Sequence, residues 1–563
     1  MSANVAISLL VGGVYDYVIV GGGSAGCVLA ARLSEDPGTR VLLIEAGPEA
    51  QADEIAIPAA MSRLFQTKYD WNYTTVPQER ADDRPIYWPR GRVLGGSSAI
   101  NAMIYIRGSR FDYDGWRDEF GCIGWGYRDL LPYFRRAETN VRGASRWHGA
   151  DGPLSVVDLG YRSEHGKAFV EAARRRGAPD IDDFNGPVQE GVGFYQVTQR
   201  DGRRCSAADA YLPASIRAAR RNLTIRTDVL ATSVLIEGGR AAGVTVRQAG
   251  KDETIRAEAE VILAAGAIGS PQLLMLSGIG PADELREHGI FVIEDNRAVG
   301  ANLTDHPMVP VIWSTPTLRG PWESSGNSDV IRWKLTHKGP LTSNIAEAGG
   351  FARSDPRLQA PDLQWHVLPA AFLNQGLTDP ARRAMSVLVT LVSVASRGHI
   401  RLRSRDPRHR PLIDPAYLSD STDLATLTTG VRMVRDYASA APLSGIVSGE
   451  LAPGGAVVSD QVVRDYIRAS VSTLYHPTGT CAMGGDSPLH MARQPSVVDP
   501  QLRVRGVTGL RVVDASVFPT LPRGNTNAPT IAVAERATDL IIGRAPLAAD
   551  PVDVVTSELR IAG

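Results

Sequence analysis

The feature of this chain that most constrains its fold is a unit of strand, glycine turn, helix and strand near the N-terminus. Residues 18–20 form a β-branched run, and Gly21, Gly23 and Gly26 follow in the pattern G-x-G-x-x-G. The first glycine allows a tight turn, the second lets backbone approach a pyrophosphate, and the third permits close packing of helix on strand. The unit therefore predicts a Rossmann-like α/β domain that binds a dinucleotide.

The residues after the glycines indicate how such a ligand is held. A helix predicted over 25–33 would point its N-terminal N–H groups and the positive end of its dipole at the phosphates. A second strand is predicted over 41–44. Glu45 ends it about twenty residues after the glycines, where a carboxylate can accept hydrogen bonds from ribose hydroxyls. The pattern by itself does not separate FAD from NAD.

Composition argues against several classes of function. Lys+Arg 60 against Asp+Glu 61 leaves a net charge of -1, which gives no support for a nucleic-acid partner. The apolar run over 5–14 lacks a preceding basic residue and a following cleavage site, and no apolar stretch reaches membrane-spanning length. We therefore expect no membrane span and a cytoplasmic location. The four cysteines form no Cys-x-x-Cys pair, so no metal site is predicted.

Longer motifs follow in a fixed order along the chain. Residues 87–103, which include the run Arg-Val-Leu-Gly-Gly-Ser, resemble the first signature of the glucose–methanol–choline (GMC) flavin oxidoreductases, and residues 266–280 resemble the second. Further blocks similar to the family are 299–306, 396–398, 476–484 and 509–516. The resemblance runs from about Tyr15 to Ile542.

The resemblance implies an FAD enzyme of two interleaved domains. One is a Rossmann-like α/β domain that binds FAD, and the other is an α+β substrate domain built on an antiparallel sheet. The expected FAD-binding segments are 14–155, 205–310 and 490–545, the substrate segments are 156–204 and 311–489, and the tails are 1–13 and 546–563. Some relatives attach FAD covalently through a histidine. This sequence has Ile100 at that place, which predicts noncovalent FAD.

Two local patterns add to the cofactor site. Gly95 and Gly96 precede small residues, which lets the backbone lie against a flat ring. The helix after Asn527 has Pro529 in its first turn and an N-terminus suited to negative charge, although an ordinary cap is the alternative role for Asn527. With the fingerprint, the resemblance assigns these residues to cofactor binding: Gly21, Gly23, Ser24, Ala25, Gly26, Glu45, Ala46, Arg92, Gly95, Gly96, Ser97, Asn101, Ala102, Met103, Val229, Ala265, Gly266, Asp514, Ala515, Asn527, Pro529 and Thr530.

The candidate base is His476, which lies in the family block 476–484. The resemblance implies a partner from residues 521–530, and alignment on the following helix selects Asn525, with Asn527 as the alternative. Neutral His476 can take a hydroxyl proton while a hydride leaves the same carbon for flavin N5, and Asn525 can orient the substrate oxygen. Activity should then fall on the acid side of a pKa of ~6.5, displaced by the site.

Residues of the substrate half supply candidate pocket walls. Residues 362–366 alternate like a strand. The candidates are Trp365, His366, Phe372, Leu474 and Tyr475, and core packing is the alternative for each of them. His366 has no recognisable metal-ligand partner, and no metal is proposed.

The combined interpretation is FAD-dependent oxidation of a small-molecule primary alcohol to the aldehyde, with an aromatic or heteroaromatic CH2OH group preferred. The electron acceptor is expected to be O2 or a quinone-type compound. One alternative is a dehydrogenase of choline or an aliphatic alcohol that uses an acceptor other than O2. The other is a non-redox hydroxynitrile lyase of the same family, in which His476 could also serve.

Overall fold

Two large β-sheets organise the protein. The computed structural model describes residues 14–321, 327–378, 383–457 and 459–551. The strands of the two sheets are β1 (Val14–Val20), β2 (Val41–Ile44), β3 (Gly191–Phe194), β4 (Leu223–Arg226), β5 (Leu230–Glu237), β6 (Arg240–Gln248), β7 (Lys251–Leu263), β8 (Pro307–Ser314), β9 (Ala348–Ala352), β10 (Leu363–Leu368), β11 (Ala384–Leu391), β12 (Gly449–Ala452), β13 (Ser472–Thr473) and β14 (Leu510–Val512).

Helices and short ladders surround these sheets. The α-helices are α1 (Ser24–Leu33), α2 (Asp53–Ala56), α3 (Arg110–Phe120), α4 (Tyr127–Ala137), α5 (Glu164–Arg175), α6 (Ala207–Tyr211), α7 (Ala214–Ala219), α8 (Gly266–Leu276), α9 (Ala282–Glu287), α10 (Asn327–Thr336), α11 (Ser421–Ala438), α12 (Asp460–Ser470), α13 (Pro488–Arg493) and α14 (Asn527–Ile541). The 3-10 turns are Pro58–Leu64, Glu79–Ala81, Gly96–Ala99, Pro340–Thr342, Asn374–Gly376, Leu443–Gly445 and Ala515–Val517. The two-stranded ladders pair Tyr73–Thr74 with Tyr87–Trp88, Glu138–Asn140 with Leu154–Val156, Gln199–Arg200 with Arg203–Arg204, Ile279–Gly280 with Glu294–Asp295, and His399–Arg401 with Leu412–Asp414.

The first sheet has the order β4-β2-β1-β7-β6-β5, with β14 also paired to β7. The pairs β4/β2, β2/β1, β1/β7 and β7/β14 are parallel, whereas β5, β6 and the start of β7 form an antiparallel meander. Residues 41–44 are buried throughout, as expected of a parallel strand covered on both faces. The predicted unit of strand, glycine turn, helix and strand is confirmed, and its helix begins at Ser24.

The second sheet has the order β12-β8-β11-β10-β9-β3, with β13 also paired to β8. Its ladders are antiparallel. β10 and β11 are fully buried because α11 and α5 pack on the sheet. This confirms the expected fold class, an α/β dinucleotide fold joined to a part built on an antiparallel sheet.

The helices at the two ends of the chain pack together over the first sheet. Glu535 on α14 is completely buried, and its carboxylate accepts hydrogen bonds from Arg32 of α1 (2.9 Å), Arg136 of α4 (2.7 Å) and the Tyr211 hydroxyl (2.7 Å). A buried carboxylate is tolerated only when it is paired and hydrogen-bonded. This network therefore ties residues from the start, middle and end of the chain into one core.

The strands are distributed between the predicted segments in a simple way. Those of the first sheet fall within 14–155, 205–310 and 490–545, and those of the second fall within 156–204 and 311–489 except for the start of β8. The domain boundaries remain a prediction. The predicted tail 1–13 and residues 552–563 lie outside the described residues, while Leu547 N–H donates to the Tyr133 hydroxyl.

The glycine turn provides a test of this packing. A Cβ on Gly26 would lie 1.9 Å from the Gly21 carbonyl oxygen, so alanine at this position must displace backbone. We expect Gly26→Ala to lower the thermal midpoint of the holoprotein and its FAD content, since overpacking costs about 1–3 kcal/mol. Gly445→Ala is the matched control because a Cβ there meets no atom within 4 Å. Equal midpoints and FAD contents for the two variants would contradict the packing.

Candidate active site

One elongated cavity runs from the glycine fingerprint to His476. At one end it is lined by Gly23 and Glu45, and at the other by His366 and His476. The first pair follows strands of the first sheet, whereas His366 lies on β10 and His476 follows β13 of the second sheet. Residues positioned by the first sheet therefore line one end of the cavity, and residues positioned by the second sheet line the other.

Two glycine turns meet backbone to backbone at the fingerprint end. The Gly95 N–H donates to the Gly22 carbonyl at 2.7 Å. Gly96 has φ +54°, and a Cβ added to it would lie 2.6 Å from the Gly23 Cα, so no side chain fits between the turns. Gly23 and Gly96 both line the cavity. The contact leaves a cavity wall made of bare backbone, the kind of surface that a flat ring or a pyrophosphate can approach.

Glu45 is buried at the end of β2 and is held by backbone. Its carboxylate accepts hydrogen bonds from Gly22 N–H (2.9 Å) and Gly47 N–H (2.8 Å). Burial raises the pKa of Glu45 to about 7, although these two hydrogen bonds act in the opposite direction. A carboxyl group at this place can receive ribose hydroxyls, as the sequence pattern predicts.

The N-termini of α1 and α14 come together at the cavity. The Ser24 hydroxyl donates to the Asn527 side-chain oxygen at 2.7 Å, and both residues line the cavity. Neither helix has a side-chain cap at its N-cap residue. Uncapped N–H groups and two positive dipole ends therefore face one region, which favours a negatively charged group there.

These features fit FAD. The bare glycine wall and the paired helix N-termini suit a pyrophosphate, and Glu45 suits a ribose. From the cofactor end the cavity continues to His476. The residues that would hold the cofactor in this arrangement are Gly23, Ser24, Glu45, Gly96, Asn101, Val229, Asp514 and Thr530.

The structure brings most of the sequence candidates to this cavity. Those that line it are Gly21, Gly23, Ser24, Ala25, Glu45, Ala46, Gly96, Ser97, Asn101, Ala102, Met103, Val229, Ala265, Gly266, Asp514, Ala515, Asn527, Thr530, His366, Phe372, Leu474, Tyr475, His476 and Asn525. Those that it does not bring there are Gly26, Arg92, Gly95, Pro529 and Trp365. Gly26, Gly95 and Pro529 support the turns and helix beside the wall, and the Arg92 guanidinium lies 5.4 Å from the Trp71 ring.

Trp365 faces away from the cavity because side chains alternate along β10. His366 and Leu368 line the cavity, while the Trp365 ring makes an edge contact with Tyr437 of α11 at 6.3 Å. Trp365 is fully buried in that layer. The suggestion that it forms a pocket wall is therefore not supported, and its place is in the packing between sheet and helix.

His476 and Asn525 are neighbours. The Asn525 Nδ2 lies 3.3 Å from the His476 Nε2, and the Gln364 Nε2 donates to the Asn525 Oδ1 at 3.3 Å. Because the Asn525 oxygen already accepts from Gln364, its nitrogen is the group that faces His476 and donates to it. Asn527, the alternative, is bonded to Ser24 instead.

A second histidine holds the other side of the His476 ring. The Nδ1 atoms of His306 and His476 are 2.9 Å apart, and the Asp305 carboxylate accepts from the His476 backbone N–H at 2.7 Å. Since Asn525 donates to the His476 Nε2, that nitrogen carries no proton. His476 must then carry its proton on Nδ1 and donate it to His306. The arrangement leaves the His476 Nε2 unprotonated at the cavity, with its lone pair accepting from the Asn525 N–H.

Burial keeps all three histidines neutral. It lowers the pKa of His306 to about 3 and that of His366 to about 3. The pKa of His476 lies well below 6.5, first because of burial and then because of His306, His366 and Arg90. The base is therefore unprotonated at neutral pH.

Gln364 and His306 were not assigned a role from the sequence. His306 stands in the family block 299–306, but its contact with His476 spans 170 residues. Gln364 has the same parity as His366 on β10, so strand alternation was the available signal. Apolar walls that were also missed are Met61, Ile104, Ile345, Ala346 and Leu388.

A dinucleotide cradle joined to a chamber with a neutral histidine is typical of a nucleotide-dependent oxidoreductase. The family model for the N-terminal part of the GMC oxidoreductases matches residues 15–308, and the model for their C-terminal part matches residues 394–534. This chain belongs to the GMC oxidoreductase family.

Proteins with similar sequences match this chain over almost its whole length. An alcohol dehydrogenase [acceptor] of Pseudomonas putida is 43% identical over 95% of this chain and 97% of its own length. The mitochondrial choline dehydrogenase of Homo sapiens is 42% identical over 95% of this chain and 90% of its own. The crystal structure of pyridoxine 4-oxidase from Mesorbium loti superposes with a TM-score of 0.85 at 35% identity, covering 94% of this chain and 100% of that one. The protein is an FAD-linked alcohol oxidoreductase.

The described residues contain neither a membrane-spanning helix nor a metal-binding cluster. None of the helices described has both the length and the hydrophobicity to span a membrane. Within the same ranges, no group of three or more His, Cys, Asp and Glu side chains is placed to hold a metal ion.

The buried neutral histidines make stability depend on pH. In the unfolded chain a histidine binds a proton below ~6.5, whereas folded His366 does so only near a pKa of about 3. Stability should therefore fall as the pH drops below 6.5, by about 1.4 kcal/mol per pH unit for each such histidine. Thermal midpoints at pH 7 and pH 5 measure this loss.

The matched variants are His366→Asn and His409→Asn. His409 is exposed, so its replacement should leave the acid loss unchanged. His366→Asn should lose less on acidification than the unaltered protein, whatever its midpoint at pH 7. An identical acid loss in both variants would show that His366 is not held neutral.

Proposed function

We propose that this protein oxidises an uncharged primary alcohol to the aldehyde, and that an aromatic or heteroaromatic CH2OH group is the preferred substrate. The observation that carries the proposal is the His476 Nε2 acceptor, 3.3 Å from the Asn525 amide and open to the cavity. Membership of a family of flavin-dependent alcohol oxidoreductases supports the reaction class.

The chain's own groups perform the proton chemistry. A substrate hydroxyl would enter between the two side chains and replace their direct hydrogen bond. His476 Nε2 then accepts the hydroxyl proton, and the Asn525 amide donates to the hydroxyl oxygen and fixes its angle. FAD, when bound, would supply the two-electron acceptor for the hydride that leaves the alcohol carbon. The developing imidazolium is stabilised by the hydrogen bond that His476 donates to His306, so the base is held in one tautomer and one orientation.

The walls beside His476 favour an apolar and aromatic substrate. Phe65, Phe372 and Tyr475 line the cavity there, and the rings of Phe65 and Tyr475 are 5.8 Å apart. Ile104 and Leu474 add aliphatic surface in the same region. Such walls bind an aromatic ring through burial of its faces and edges.

The substrate end of the cavity has no free carboxylate among the described residues to pair with a cationic substrate. Among the described residues, the acidic side chains that line the cavity are Glu45 and Asp514. Glu45 is bonded to backbone at the far end, and Asp514 accepts from the Ser270 hydroxyl and the Gly266 N–H. Arg90 adds positive charge to the lining. A quaternary ammonium alcohol would therefore find no free carboxylate at this end, and the faces of the aromatic rings alone would have to hold its charge, which supports an uncharged substrate.

FAD is proposed to be bound noncovalently, since the cavity carries Ile100 where the sequence motif could otherwise supply an attaching histidine. Denaturation should then release FAD into solution. The acceptor is proposed to be O2 or a quinone-type compound, and the relatives include both an oxidase and a dehydrogenase named for an unspecified acceptor.

Anaerobic reduction of the holoprotein tests the proposal. We expect benzyl alcohol, furfuryl alcohol or pyridoxine to bleach the flavin absorbance faster than choline or an aliphatic alcohol. Admission of air then separates the acceptors, because rapid recovery indicates an oxidase and slow recovery a dehydrogenase. Faster bleaching by choline would contradict the substrate class, and no bleaching with any alcohol would favour hydroxynitrile cleavage, which is assayed next.

His476→Ala tests the base in the same experiment. Loss of the proton acceptor should slow reduction by the best alcohol by about 10²–10⁴-fold with FAD retained. His409→Ala, at an exposed histidine, is the control and should reduce at the normal rate. An unaltered rate in His476→Ala would remove the assignment.

The acidic limb of the pH profile should lie lower than the sequence alone indicates. Only neutral His476 accepts a proton, and its pKa is shifted well below 6.5 by burial, then by His306, His366 and Arg90. The protein therefore stays in its reactive form as the pH falls through 6.5, and kcat/KM should decline only at a lower pH. Measurement of kcat/KM between pH 5 and pH 8 checks this. A decline centred at or above 6.5 would show that the base is not desolvated.

A further inference from the structure

Arg204 is a buried arginine behind the cofactor cavity. It is only 4% exposed, and its guanidinium donates from Nε to the Ile55 carbonyl (2.8 Å) and from NH1 to the Asn101 carbonyl (2.6 Å). The same NH1 group also reaches the Asn101 side-chain oxygen at 2.8 Å. Asn101 lines the cavity, so Arg204 stands directly behind a cavity-lining residue.

This guanidinium has no carboxylate partner in the described part of the chain. Its hydrogen bonds go to neutral oxygens, and its NH2 group is buried without a partner there. Asp209, the acid whose charge acts on it, instead caps α6 through Ser206. Burial lowers the pKa of Arg204 to about 9, so the group remains charged at neutral pH. A buried cation of this kind is stabilised only when negative charge lies nearby.

Arg204 also sets the orientation of the Asn101 amide. The Asn101 Oδ1 accepts from the Met103 N–H (3.0 Å) and from Arg204 (2.8 Å). Two donors on one atom identify that atom as the oxygen. The amide nitrogen is then the end left without a partner among the described residues, and it is available as a donor to whatever occupies the cavity.

We propose that Arg204 is a positioning residue that orients the Asn101 amide as a donor toward the bound cofactor and supplies the positive charge that balances the cofactor's negative charge. Reduction adds negative charge to the cofactor, so a fixed cation behind the donor favours the reduced state. The proposal needs bound FAD but no particular alcohol. It goes beyond the proposed substrate class and can fail or hold separately from it.

The test compares Arg204→Lys with Arg204→Gln. Both replacements are shorter than arginine and keep a hydrogen-bond donor, but only lysine has an ionisable cation. Burial makes that cation easier to deprotonate, so the two variants are compared at pH 6. Midpoint potentials are measured by equilibration with reference dyes, without any alcohol. We expect Arg204→Gln to shift the reduction equilibrium at least tenfold toward oxidised FAD, about 30 mV for a two-electron couple. Arg204→Lys should stay within threefold of the unaltered protein.

Arg203→Gln is the matched control, because Arg203 is the exposed neighbour on the same two-residue strand. It should leave the potential unchanged. Equal potentials for Arg204→Lys and Arg204→Gln would overturn the proposed role of the charge. If a variant loses FAD during purification, the dissociation constant for FAD added to the apoprotein is measured instead. We then expect Arg204→Gln to bind FAD more weakly than the unaltered protein and Arg204→Lys to bind it equally well.

Asn101→Asp in the unaltered Arg204 background tests the donor. An aspartate would pair with Arg204 and present no N–H group to the cavity. We expect the affinity for FAD to fall at least tenfold and the potential to decrease. An unchanged affinity together with an unchanged potential would show that the Asn101 amide does not act on the cofactor.

Discussion

The contact between two glycine turns is the constraint on which the site depends. Gly23 and Gly96 meet with no room for a Cβ, and the Gly95 N–H donates to the Gly22 carbonyl. Backbone is the only surface at this contact, so its shape does not vary with side-chain rotamers. The rigid wall aligns the N-terminus of α1 with the start of α14 and leaves the cavity open toward the second sheet. The positions of the other cavity-lining elements depend on this contact between Gly23 and Gly96.

The polar side chains that would act in the reaction lie where the second sheet borders the cavity. Gln364, Asn525, His476 and His306 form a chain of side-chain hydrogen bonds, and each member determines which atom the next one offers. Burial fixes the tautomer of His476, because the other tautomer would set its Nε2–H group against the Asn525 N–H in an apolar wall. The orientation of the base and the neutrality of the histidines therefore have a common cause, the burial of these side chains.

Features that depend on residues adjacent along the chain could be predicted from the sequence. The fingerprint, the helix predicted over 25–33 and the strand over 41–44 follow from local sterics, and His476 lies in a continuous motif. The placement of Trp365 could not be predicted, because the pattern showed alternation on β10 but not which face met the cavity. That choice is set by the register between β10 and β11 and by the packing of α11. Arg204 carried no signal, since its role comes from carbonyl groups distant in sequence.

The pairing of Ser24 with Asn527 joins residues 503 positions apart. Contacts of such separation form late, because a long loop must close before they contribute any stabilisation. During synthesis the fingerprint emerges among the first residues, yet its partner helix emerges among the last. The cradle is therefore completed only when almost the whole polypeptide has left the ribosome. A chain truncated before α14 would leave the glycine turn without its second wall.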